Sequence, residues 1–121
     1  MPKLLMVDDE AEILEILRMP FELAGYEVFT ALDSESAVEI VKTHKPDILL
    51  IDYKLPKMTG LELFQETHKI DPKGKAIMIT GIAEGVEEIK SACIQAGISQ
   101  FFQKPLQMEM VIKAVDALAK G

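Results

Sequence analysis

"LLMVDDE", residues 4–10, sets four apolar residues directly against three acids. A buried strand that ends in Asp8, Asp9 and Glu10 concentrates like charge, which costs stability unless something positive sits among the carboxylates. Outward from this stretch the same kind of run recurs. "KLLMV" (3–7), "EVFT" (27–30), "DILLI" (47–51), "KAIMIT" (75–80) and "QFFQ" (100–103) all read as strands. The first, third and fourth are continuously apolar rather than alternating, the pattern of central parallel strands covered on both faces.

Helical periods fill the intervals. In 11–24, Ile13, Ile16, Leu17, Phe21 and Ala24 are predicted to share one face, with Gly25 as the stop. Segment 34–44 follows Asp33 and Ser34, both competent caps, and turns Ala37, Val38 and Val41 inward. Segments 60–69, 84–96 and 107–119 carry Leu63 and Phe64, Ile89 and Cys93, and Val111 and Val115 on their inner faces. Strict β–α alternation with short connections predicts an α/β domain, a parallel sheet between two helical layers. Ligands of such sheets bind outside the carboxyl ends of the strands.

The length of 121 residues suits one domain with a proper core. With 13 Lys plus Arg against 20 Asp plus Glu, the net charge is −7, which argues against nucleic-acid binding. Cys93 is the sole cysteine, so no internal disulfide can form, as fits a reducing cytosol. The N-terminal "MPKLLMVDDE" lacks the long apolar core of a signal peptide, and no apolar run approaches the roughly 18 residues of a membrane span. A cytoplasmic location is expected. His44 and His68 lack metal-ligand spacing to another His or Cys and are expected at the surface.

The predicted strand ends carry the chemistry. Strand one ends in Asp8 and Asp9, strand three in Asp52, strand four in Thr80, and strand five leads into Lys104-Pro105. Three carboxylates, a hydroxyl and an ammonium thus converge on one edge. Hard oxygen ligands of this kind suit Mg²⁺, which would also neutralise the acids, and Mn²⁺ could substitute. An oxygen of Asp52 could then attack phosphorus, with Lys104 and Thr80 meeting the charge on the phosphoryl oxygens.

Taken together, "VDDE", "LLIDYKLPKMTG", "IMITG" and "FFQKP" resemble the receiver domain of two-component response regulators, over essentially the whole of 1–121. The resemblance implies a flavodoxin-like (βα)₅ fold with strand order 2-1-3-4-5, forming a single receiver domain with no output domain in this chain. It implies a phosphoacceptor signalling module rather than an enzyme. Asp52 would take a phosphoryl group from the phosphohistidine of a sensor histidine kinase or a histidine phosphotransfer protein. Asp9, Asp52 and the backbone carbonyl of Lys54 would ligate Mg²⁺, with Asp8 acting through water. Thr80 and Lys104 would hold the phosphoryl group, Phe101 would stand at the aromatic switch position, and the Lys104-Pro105 bond would be cis. Association as a monomer or a weak phosphorylation-dependent dimer is implied, and partner docking is expected on Leu14 and Ile16 of the first helix and Met108 and Ile112 of the last.

Two other functions compete. A Mg²⁺-dependent phosphohydrolase with an aspartyl nucleophile usually has D-x-D after strand one and a cap domain, whereas here the acids are adjacent and the candidate nucleophile lies on strand three. A flavin or nucleotide site needs a phosphate-cradling loop after strand one, where Asp8 and Asp9 would repel phosphate.

Overall fold

The computed structural model describes residues 1–120. The order is β1 (Lys3–Val7), α1 (Ala11–Leu23), β2 (Glu27–Ala31), α2 (Ser34–His44), β3 (Ile48–Asp52), α3 (Gly60–Ile70), β4 (Lys75–Thr80), α4 (Val86–Gln95), β5 (Gln100–Gln103) and α5 (Met108–Lys120). All strands are parallel, in the order β2-β1-β3-β4-β5. This is the expected (βα)₅ arrangement. The chain runs outward from β1 to β2 and then returns to β3, so the switch point lies between β1 and β3.

The continuous apolar runs sort by alternate residues into two cores. Leu5, Val7, Leu49, Ile51, Ala76 and Met78 meet α2, α3 and α4 through Ala37, Val41, Leu63, Phe64 and Cys93. Leu4, Met6, Ile48, Leu50, Ile77 and Ile79 meet α1 and α5 through Leu14, Leu17, Phe21, Val111 and Val115. Period-two alternation thus exists in space though both sets are apolar in sequence.

Local signals close the elements. The Asp33 carboxylate accepts from the Ser36 amide at 2.8 Å and starts α2. Thr59 and Glu62 form a reciprocal capping box at the start of α3. Gly25 and Gly97 follow α1 and α4 with φ of 97° and 106°, the left-handed region that stops a helix.

Helix α1 departs from its predicted face. Its buried residues are Leu14, Leu17 and Phe21, whereas Ile16 is 71% exposed and Ala24 is also exposed. Leu14 is therefore a core residue and not a docking residue. The buried stripe takes in Leu14 in place of Ile16 and Ala24, because Leu14 packs with Leu17 and Phe21 in the α1–α5 core. Ile16, Met19 and Leu23 form a separate exposed row at i, i+3 and i+7.

Candidate functional site

Strand register builds the site before any side chain is considered. Val7 lies opposite Ile51, so Asp8 and Asp52 follow side by side across the switch point. Thr80 lies opposite Gln103, and the Lys104 amide donates to the Thr80 carbonyl at 2.7 Å. Lys104 thereby starts its reach from the same edge. After Asp52 the chain folds back, with the Gly60 amide donating to the Tyr53 carbonyl at 2.6 Å. A Cβ on Gly60 would stand 2.5 Å from the Asp52 carbonyl oxygen, so the turn that presents Asp52 requires glycine.

The expected residues converge. Lys104 Nζ donates to Asp8 Oδ2 at 3.4 Å and to Asp52 Oδ2 at 3.3 Å. Asp8 Oδ1 accepts from the Glu10 amide at 2.9 Å, and Asp52 Oδ1 from the Lys54 amide at 3.3 Å. Asp8, Asp52 and Thr80 are all buried, with exposures of 1%, 5% and 0%. Burial, and next the charge of Asp8, push the Asp52 carboxyl above the ordinary carboxylate range, and Lys104 only partly offsets them. Burial weakens the hold of Lys104 on its proton, but Asp52 and Asp8 outweigh it and the ammonium is held more firmly than usual. One cation thus bridges two buried carboxylates. That ammonium is the positive group the opening acids require within the chain itself.

A cleft of 760 Å³ opens over this centre, lined by Asp9, Glu10, Asp52, Lys54, Ile82 and Lys104, among others. Asp8, Asp9 and Glu10 each bring a carboxylate oxygen to within 4.8 Å of one another. This all-oxygen set, exposed at Asp9 and Glu10, fits a hard divalent cation. Glu10 thus shares in the acidic cluster. Thr80 Oγ1 accepts from the Ile82 amide at 3.1 Å. Phe101 is half-buried against the α2–α3–α4 core, and the Lys104–Pro105 peptide is cis. Met108 and Ile112 are half-buried against the α1–α5 core, so they close α5 onto the sheet more than they offer a free surface.

One polar contact of the site has no sequence signal: Gln103 Nε2 donates to the Ile82 carbonyl at 3.3 Å. A second surprise lies far from the cleft, where the Tyr26 hydroxyl donates to Asp116 Oδ1 and ties the start of β2 to α5.

Comparison with known proteins gives the same reading. The chemotaxis protein CheY of Thermotoga maritima is 35% identical over 119 residues, covering 98% of each chain. Sporulation initiation phosphotransferase F of Bacillus subtilis is 32% identical, over 93% of this chain and 90% of its own. The chain spans about half the length of several transcriptional regulatory proteins that it also matches. Among solved structures, a CheY-like receiver domain protein from Methanospirillum hungatei superposes with a TM-score of 0.88 at 30% identity, over 99% of this chain and 95% of that one. The family pattern of the response regulator receiver domain matches residues 4–116. With the fold, the strand order and this match in agreement, the chain belongs to the response regulator receiver domains, the signalling modules of two-component systems.

Proposed function

We propose that Asp52 is the phosphoacceptor of this receiver and that a partner phosphohistidine is its donor. The observation that carries the reading is the Lys104 ammonium set between Asp8 and Asp52 beneath an open cleft. An oxygen of Asp52 attacks the phosphorus, the P–N bond breaks, and the imidazole leaves with its electron pair. Lys104 exchanges part of its contact with the carboxylate for the new phosphoryl oxygens. Thr80 rotates its hydroxyl toward the same group. Asp9, Asp52 and the Lys54 carbonyl would hold Mg²⁺ or Mn²⁺, with Asp8 through a water, and the ion would neutralise charge as the phosphoryl group arrives. Nothing here turns over a separate substrate: the product is the modified chain, and its changed surface is the signal.

A sensor histidine kinase or a histidine phosphotransfer protein is the fitting partner. Ile16, Met19 and Leu23, at 71%, 62% and 82% exposure, supply an apolar row on α1 for a helix of that partner. Asp9 and Glu10 immediately precede α1, so this row lies on the element that leaves the cleft. Phe101 would transmit the switch from β5. A cytoplasmic location, and a monomer or weak phosphorylation-dependent dimer, complete the reading; no nucleic acid is bound by this domain.

Acetyl phosphate with Mg²⁺ is expected to add one phosphoryl group to the native chain. Asp52→Asn should lose that labelling, because an amide is a poor nucleophile, and EDTA should suppress it in the native chain. Full labelling of Asp52→Asn would remove Asp52 from this role.

A further inference from the structure

The backbone of Ile82 is held at both ends. Its amide donates to Thr80 Oγ1 at 3.1 Å, and its carbonyl accepts from Gln103 Nε2 at 3.3 Å. Ile82 lies in the loop between β4 and α4 and lines the cleft over Asp52. Gln103 is the last residue of β5, in register with Thr80, and points to the same side of the sheet as Phe101 two residues earlier. Two hydrogen bonds thus link Thr80, Ile82 and Gln103 in one run across the strand ends.

We infer that Gln103 is a positioning residue that holds the β4–α4 loop in its resting arrangement and so sets how readily the domain takes up a phosphoryl group. The inference rests on the phosphoacceptor reading of Asp52. For the Thr80 hydroxyl to turn toward a group on Asp52, it must give up the Ile82 amide. The Gln103 contact to the Ile82 carbonyl restrains the loop from following. Ile82 is half-buried and Gln103 exposed, so water can take over both groups once they part. Breaking the contact thus costs the fold little and shifts the loop equilibrium. A neutral hydrogen bond of this kind biases a two-state element by about two- to tenfold. A phosphodonor that reacts with the released arrangement draws on that population.

Gln103→Leu removes the donor, and Gln103→Glu removes it while keeping the shape. Both variants should melt with the native chain. In both, the Ile82 amide should exchange its hydrogen with solvent about two- to tenfold faster, and labelling by acetyl phosphate with Mg²⁺ should quicken by a similar factor. Native exchange and native labelling in the two variants would overturn the inference. A Gln103→Glu variant that behaves as native while Gln103→Leu does not would overturn it too, since shape rather than donation would then matter. Faster exchange without faster labelling would likewise overturn it. If the native chain takes no label at all, the phosphoacceptor reading fails and takes this inference with it; native labelling with unchanged variants removes Gln103 alone.

Discussion

Both ends of the sheet bring lysines to aspartates, yet the two ends differ in what surrounds them. At the carboxyl end, Asp8 and Asp52 are buried and share Lys104. At the amino end, Asp47 is exposed, its Oδ2 accepts from the Lys3 amide at 2.8 Å, and Lys73 and Lys75 line the same 410 Å³ cleft. Residue types are alike, but at the amino end solvent screens each charge and the groups act singly. At the carboxyl end burial, and next the neighbouring charge of Asp8, shift Asp52 upward, while Lys104 pulls the other way. Burial and shared contacts, rather than the presence of acids and lysines, distinguish the two ends.

The shared contacts are most sharply exposed by removing their cation. Lys104→Met leaves two buried carboxylates without their cation and, in EDTA, is expected to cost about 2 to 3 kcal/mol at neutral pH, less than a fully buried pair because the ammonium is partly exposed. The Asp52 carboxyl, already raised by burial and Asp8, rises further in this variant. A group whose folded pKa lies above its unfolded one loses stability as pH rises through the folded value. The deficit should therefore shrink as pH falls into the ordinary carboxylate range. Urea titrations across that range check it, and Lys104→Met with Asp52→Asn should recover most of the loss. A pH-independent deficit would point to lost packing instead.

The amino end has a half-buried polar pair of its own, and it is the second way to test the contrast. Tyr26, 6% exposed, donates its hydroxyl to Asp116 on α5. Burial, and next Asp116, push the Tyr26 hydroxyl pKa well above its ordinary value. The fold then binds this proton more tightly than the unfolded chain, so its stabilisation is complete below the ordinary phenol pKa and is lost as pH climbs beyond it. Tyr26→Phe is expected to cost about 1 to 2 kcal/mol near neutrality and to flatten the decline above about pH 10. Denaturation of both chains at neutral and alkaline pH measures the two slopes. Parallel slopes would show that the bond is not coupled to folding.

Much of this was legible in the sequence for a physical reason. Strands covered on both faces must be apolar throughout, so β1, β3 and β4 announced themselves, and strand ends placed Asp8, Asp52, Thr80 and Lys104 on one edge. The inner face of α1 was not legible. Ile13, Leu14, Ile16, Leu17, Met19, Phe21 and Leu23 are more apolar residues than one buried stripe can take, so periodicity alone could not choose its centre. Packing chose Leu14, Leu17 and Phe21 and left Ile16, Met19 and Leu23 in solvent. The Thr59–Glu62 box carries a T-x-x-E signal. Gln103 carries none, because an exposed glutamine acquires meaning only from the loop it happens to reach.

The smallest expected effect is the one that sharpens the comparison furthest: the same substitution made at both ends. Asp47→Asn removes a charge beside Lys73 and Lys75 but keeps an oxygen able to accept from the Lys3 amide. The strand contacts of Asp47 are backbone ones, its amide to the Lys3 carbonyl at 2.9 Å and its carbonyl from the Lys75 amide at 3.0 Å, and they survive. Stability should stay within about 0.5 kcal/mol of native, at low and high salt alike. Asp52→Asn in EDTA removes an ionised carboxylate that burial and Asp8 disfavour, and Lys104 keeps Asp8 as its partner. That variant should be the more stable chain at neutral pH, with its advantage fading as pH falls and the native Asp52 takes up a proton. Matched urea titrations of the two variants decide the point. A sizeable loss at Asp47 together with no gain at Asp52 would mean that the exposed end is the coupled one, and the contrast drawn from burial would not hold.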